Sequence, residues 1–133
     1  MLVRIVLGIF VVLHGLVHLL YFGHSRRFFE LQPELSWPDG SWAFGWLPGV
    51  DAARWLAGGA CVLASLGFVA CGVAGLAGWT WWRPVIVGAA AFSTAIWLLF
   101  WDGTMQRLAE QGLVAIVINA AILFAVLGFG VGP

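Results

Sequence analysis

Charge is scarce in this sequence, and lysine is missing altogether. Six arginines face six acids, the net charge is zero, and only 9% of the 133 residues are charged. A chain without a basic patch has no electrostatic footprint for nucleic acid. Soluble domains are typically about half apolar and about one-quarter charged. Here the apolar share is 62%, which leaves too few polar residues to cover a surface in water. Cysteine is nearly absent too. Cys61 and Cys71 stand alone, and their separation on a helix is about 15 Å of rise, beyond the reach of a disulfide. No CxxC pair exists, which argues against thiol redox chemistry. Packing of small side chains in a helix is the simpler role.

What is abundant is tryptophan, with nine residues, and uninterrupted apolar sequence. Trp collects at membrane–water interfaces, and a helix needs about 20 apolar residues to cross the hydrocarbon core. Four such runs are present, near residues 2–22, 52–78, 84–101 and 104–129. The first follows Arg4 and could pass for a signal peptide, but no small-residue cleavage pattern follows Phe22, so it is expected to stay as a spanning helix. Asp51 is the expected N-cap of the second helix, and Pro84 suits the first turn of the third. The two later connections, WTWWRP and DGTMQRLAEQ, are short, and short connections place neighbouring helices antiparallel. The expected fold class is therefore an all-α integral membrane protein, a single antiparallel four-helix transmembrane bundle.

The first connection, residues 23–51, is longer. It carries Phe28, Phe29, Trp37, Trp42, Phe44 and Trp46 around a WPDG turn signal. So many aromatics do not suit a solvated linker, and the segment is expected to fold back as an interfacial cap. Gly67, Cys71 and Gly75 in the second helix, and Gly88, Ala91 and Ala95 in the third, are small residues that let helices approach closely in lipid. They suit ordinary packing within the bundle or a face for homo-oligomer formation. The side bearing the first and third loops holds Arg26, Arg27, Arg54 and Arg107, against Arg4 and Arg83 on the other. That count places the first and third loops in the cytoplasm.

Chemistry concentrates in LHGLVHLL. His14 and His18 are four residues apart, so both rings share one helix face. Ionisable groups within a span usually face the interior and serve a function. The spacing suits a divalent metal held by two imidazoles, with a third ligand from Asp102, Asp51, Glu30 or His24. It does not suit a haem bracketed from both sides. The alternative is that both rings are simply hydrogen-bonded within the bundle.

Depth brings other residues to the same level. At about 1.5 Å per residue, His14 lies about 12 Å from the loop-bearing face, and Asn119 and Thr94 each about 10 Å. Cys61 and Ser65 bracket this level in the second helix. His14 is expected within reach of Asn119 or Thr94. His18, nearer the mouth, is expected beside Asp102 or Arg54. His14, His18, Thr94, Asp102, Asn119 and Arg54 thus form the candidate ligand-binding set, in a pocket between helices. No catalytic motif is present.

The opening RIVLGIFVVLHGLVHLL resembles the first helix of the DoxX-like group of small bacterial membrane proteins, and QGLVAIVINAAIL resembles the start of their last helix. The resemblance implies a four-helix protein of the bacterial inner membrane, acting as an accessory subunit of an oxidoreductase system. The long Trp-rich first loop departs from that pattern. Three functions follow as expectations. The first is a non-catalytic binder of a small hydrophobic molecule or of a membrane protein subunit. The second is a redox component that takes quinone or a metal through His14 and His18. The third is a small oligomeric transporter.

Overall fold

The computed structural model describes residues 1–130. It contains four long helices and, among the described residues, no strand: α1 (Leu2–Ser25), α2 (Val50–Ala77), α3 (Trp82–Leu99) and α4 (Ala109–Gly128), the last regular over Val114–Leu123. Each is long and apolar enough to cross a membrane. This is the construction of a multi-pass membrane protein, because a helix satisfies all its backbone hydrogen bonds within itself.

The helix limits differ from the sequence expectation for local reasons. α1 runs on past Phe22 to Ser25 and stops where Arg27 turns left-handed (φ 60). There Arg27 N–H donates to His24 O (2.9 Å) and Phe28 N–H to Gly23 O (2.9 Å), a paired closure of the last turn that usually employs glycine. α2 is preceded by Gly49 (φ 80), so Asp51 lies inside the first turn and makes no cap bond; its charge still suits the helix N-terminus. α2 ends one residue early because Gly78 (φ 77) closes it in the left-handed conformation. α4 starts at Ala109, five residues later than expected. Arg107 (φ 53) and Gly112 (φ 111) break the first turns, and Leu113 N–H reaches back five residues to Leu108 O (3.2 Å).

Close packing of α1 on α2 comes from glycine on both helices. A Cβ on Gly72 would meet Gly8 O at 2.8 Å and Val12 Cγ2 at 2.6 Å, and one on Gly15 would meet Phe68 Cβ at 2.8 Å. Gly67 does pack on α3, 3.2 Å from Ala89 Cβ on the same test, but Gly88 meets nothing within 4 Å and faces outward. α2 packs on α3, and α3 on α4. α1 and α4 barely touch through their backbones, so the ring of helices has an open seam.

The interior divides into two apolar clusters. One gathers Val11, Phe68, Cys71, Trp82, Ile86 and Ile122. The other gathers Leu35, Trp37, Cys61, Ile96, Trp97 and Phe100. Cys61 and Cys71 are free thiols in different clusters.

The connection between α1 and α2 is hydrogen-bonded to the helix ends. Asp39 takes Arg27 Nη2 (2.9 Å) and Arg54 Nη2 (2.7 Å), which ties the end of α1 to the start of α2. Ser41 Oγ donates to Leu99 O (2.5 Å), Trp42 Nε1 to Leu98 O (2.6 Å), and Trp42 N to Trp101 O (2.9 Å). These donors satisfy carbonyls that the end of α3 leaves free. Arg107 donates to Pro33 O before α4. Trp37 is buried, while Phe28, Trp42 and Trp46 are exposed.

Candidate functional site

Between the two apolar clusters lies a closed circuit of hydrogen bonds. His14 Nε2 is 2.9 Å from Asn119 Oδ1. Asn119 Nδ2 donates to Ser93 Oγ (2.9 Å) and, at 3.3 Å, to Thr94 Oγ1. Ser93 Oγ is 2.7 Å from His18 Nε2, and His18 Nδ1 is 3.0 Å from His14 O. His14, His18, Ser93 and Asn119 are all buried.

Donor and acceptor roles follow without freedom. Thr94 spends its hydroxyl proton on Ala90 O (2.8 Å), so toward Asn119 it can only accept. The Asn119 atom facing Thr94 and Ser93 is therefore the NH₂ group, and its carbonyl faces His14. His14 Nε2 must then carry the proton. Ser93 accepts from Asn119 and has one proton left, which goes to His18 Nε2. His18 Nδ1 in turn holds its proton and donates it to the His14 carbonyl. Every polar atom of the circuit but one is paired, as a low-dielectric interior favours. The one atom without a partner is His14 Nδ1. It makes no hydrogen bond among the described residues and is not among the fully enclosed unpaired atoms, so it keeps contact with the space beside it.

That space is a cleft of ≈ 470 Å³ between α1 and α4. His14, His18, Tyr21, Trp97, Glu110 and Gly112 line it, with Leu31 and Gln32 of the long connection at one side. Aromatic packing holds the rings in place. Phe68 meets His14 edge to face at 4.7 Å, and Trp97 packs on His18 (5.7 Å), Tyr21 (4.6 Å) and Trp37 (5.2 Å). Tyr21 OH donates to Glu110 O (2.6 Å) and, with the His14–Asn119 pair, bridges the seam. Gly112 sits on the Trp97 indole so closely that a Cβ there would lie 2.4 Å from Cδ2. Trp37 and Trp97 both bury an Nε1–H with no acceptor among the described residues.

A second, purely apolar cleft of ≈ 250 Å³ lies farther along the same seam, lined by Leu7, Phe10, Val11, Ile122, Ala125 and others. Ile118 lines both clefts, and Phe10 stacks on His14 (6.3 Å, 5° between planes). The seam thus runs from a polar end to an apolar one.

The structure brings together three of the six expected residues around His14: His18, Thr94 and Asn119 share its circuit with Ser93. It does not bring Asp102 or Arg54 to His18. Arg54 is drawn to Asp39 (Nε–Oδ1 2.9 Å), the nearest full charge that can neutralise it. Asp102 caps its own turn, accepting from Thr104 N and Oγ1 (both 2.8 Å). Ser65 is buried beside Gly15 but takes no part in the circuit; α2 contributes the Phe68 ring instead.

Sequence reasoning missed Ser93, Tyr21 and Trp97. The signal was helical spacing. Tyr21 continues the His14–His18 face by three residues, and Ser93 continues the stripe Ile86, Ala89, Ala90 toward Ile96 and Trp97.

The two imidazoles do not fit a metal as they stand. Both Nε2 atoms are committed to the circuit, and His18 Nδ1 is held by backbone. Among the described residues no group of three His, Cys, Asp or Glu is arranged to hold an ion. Outside the helices, Asp39 has a depressed pKa. Burial alone would raise it, but the hydrogen bonds from Arg54 and Arg27 outweigh that and hold it below its ordinary 3.8.

No family model, curated protein or solved structure matches the chain.

Proposed function

We propose that this chain is a non-catalytic, four-span membrane protein of DoxX-like type that binds a small amphipathic molecule from the bilayer. The ligand lies in the seam between α1 and α4, with its head beside His14 and its tail against Phe10, Ile118 and Ile122. One observation carries the reading: a polar circuit whose single unpaired atom is His14 Nδ1 lies on the wall of a cleft that shares Ile118 with an apolar groove beside it. Amphipathic clefts between helices are a usual place for small ligands. The same seam would suit docking to a membrane protein subunit, with this chain as its accessory partner.

In this reading the helices alternate in direction and the aromatic connection is an interfacial cap. Bonds from that connection to the end of α1, the start of α2, the end of α3 and the approach to α4 support it. The membrane is the bacterial inner membrane, and the arginine count places the cap on the cytoplasmic side.

The test is native mass spectrometry of the full chain released from mild detergent. A lipid-like mass should stay bound to the wild type and be lost from Ile118→Trp, which fills the seam without touching the circuit. Equal retention of that mass by both proteins would refute the site.

A further inference from the structure

Resting on that reading of the cleft, we infer that the ligand's head group is a neutral hydroxyl, carried on an apolar tail. The head must donate, because the free atom facing the cleft is the His14 Nδ1 lone pair. Its role is fixed through four linked bonds, beginning with the Thr94 hydroxyl bonded to Ala90 O. An extra proton placed on Nδ1 instead would put an imidazolium in an apolar seam at high cost.

Trp97 also lines the cleft, but its unpaired Nε1–H is fully enclosed and does not open onto it. The head therefore has one partner, the imidazole, and needs only to donate. A hydroxyl donates without a charge, whereas a ketone or ether oxygen cannot donate and an ammonium would bring a full charge into an apolar seam.

The tail follows from the seam. From His14 to Leu7, α1 rises about 10 Å along a groove lined by Val11, Ile122 and Ala125, with no polar side chain among them. A medium-length alkyl or prenyl chain fits there. The shared chemistry is a hydroxyl on a long apolar chain, whether an aliphatic alcohol or a reduced ring carrying a prenyl tail.

The experiment uses the full chain, ¹⁵N-labelled at histidine, in nanodiscs. Without ligand, His14 should be the Nε2–H tautomer and His18 the Nδ1–H tautomer. Dodecanol should shift the His14 Nδ1 resonance and bind at least about tenfold tighter than its methyl ether, the ratio expected of one hydrogen bond made or lost. A prenylated hydroquinone and its dimethyl ether should show the same preference if the tail is a prenyl chain. His14→Phe should remove the preference. Ile118→Trp should remove binding while leaving both histidine tautomers unchanged, which guards against a variant that fails to fold. Equal binding of alcohol and ether would overturn the hydroxyl assignment and leave the cleft as a ligand site. A His14 ring with its proton on Nδ1 would overturn it from the apo spectrum alone. Binding of none of these probes would overturn the cleft reading and this inference with it.

Discussion

Replacing Asn119 with leucine should destabilise the protein more than any other single change in the circuit. Leucine keeps the same branched arrangement of four side-chain heavy atoms, so the main loss is that of the hydrogen bonds. Asn119 makes three: 2.9 Å to His14, 2.9 Å to Ser93 and 3.3 Å to Thr94. Side-chain hydrogen bonds between membrane helices average ~0.6 kcal/mol, with a maximum of ~1.7. Two good bonds and one long one therefore give about 1.5–2 kcal/mol. The His14 Nε2–H is then left without an acceptor, and an orphaned buried donor costs about 1–3 kcal/mol. The two figures overlap, so the expected loss is about 2–3 kcal/mol. Ser93→Ala removes two bonds, to His18 and from Asn119, and should cost about 1–2 kcal/mol. Thr94→Val removes only the long one from Asn119 and a local bond to Ala90, and should cost less than about 1 kcal/mol. Reversible unfolding in mixed micelles gives the order. The double variant His14→Phe, Asn119→Leu removes both partners and should recover part of the loss, since replacing both members of a pair with apolar groups can be nearly neutral. If Thr94→Val costs as much as Asn119→Leu, or the double variant shows no coupling, the circuit is wrongly drawn.

Three further outcomes are expected. Gly112→Ala should cost about 2–4 kcal/mol in the same unfolding assay, because it adds a left-handed backbone penalty to overpacking against an indole that is itself buried; a neutral effect would mean that Gly112 does not seat Trp97. The Asp39 carboxyl is depressed in the folded state by its two arginines, so its contribution to stability is full above its ordinary 3.8 and lost as pH falls through the lower folded value. Protection from hydrogen exchange in residues 27–54, taken relative to the intrinsic rate at each pH, should therefore fall on acidification below about pH 4, and Asp39→Asn should show the lower protection already at neutral pH; unchanged protection in that variant would remove Asp39 as the tie. Arg27→Ala should loosen the same stretch, because Arg27 also donates to Ser36 O (2.9 Å) and Trp37 O (3.1 Å).

How legible this was in the sequence differs by element. The four spans follow from composition, since unbroken apolar runs of about 20 residues are the length of a spanning helix, which keeps its backbone satisfied within itself in lipid. His14 beside Asn119 or Thr94 follows from two things together: an unpaired imidazole in lipid must turn inward, and helices of known rise place residues at a common level. Ser93 was not separated from Thr94 by that argument. They lie at nearly the same depth, and only rotation about the α3 axis decides that Ser93 is fully buried while Thr94 is half-buried. The partners of Arg54 and Asp102 were misjudged for a different reason. Depth cannot weigh one charge against another, and Asp39 lay in a connection whose path the sequence leaves open. The late start of α4 was hidden because Gly112 reads as an ordinary small residue in an apolar run, and its contact with Trp97 is long-range.

The most direct test of the central claim is photo-crosslinking with a diazirine-bearing long-chain alcohol in nanodiscs, followed by peptide mapping. The seam reading predicts that adducts concentrate on Phe10, Ile118 and Ile122, and that Ile118→Trp or excess dodecanol removes them. Adducts spread evenly over the lipid-facing residues of all four helices, or concentrated instead on the apolar groove between α2 and α3 at Leu63 and Phe92, would contradict it.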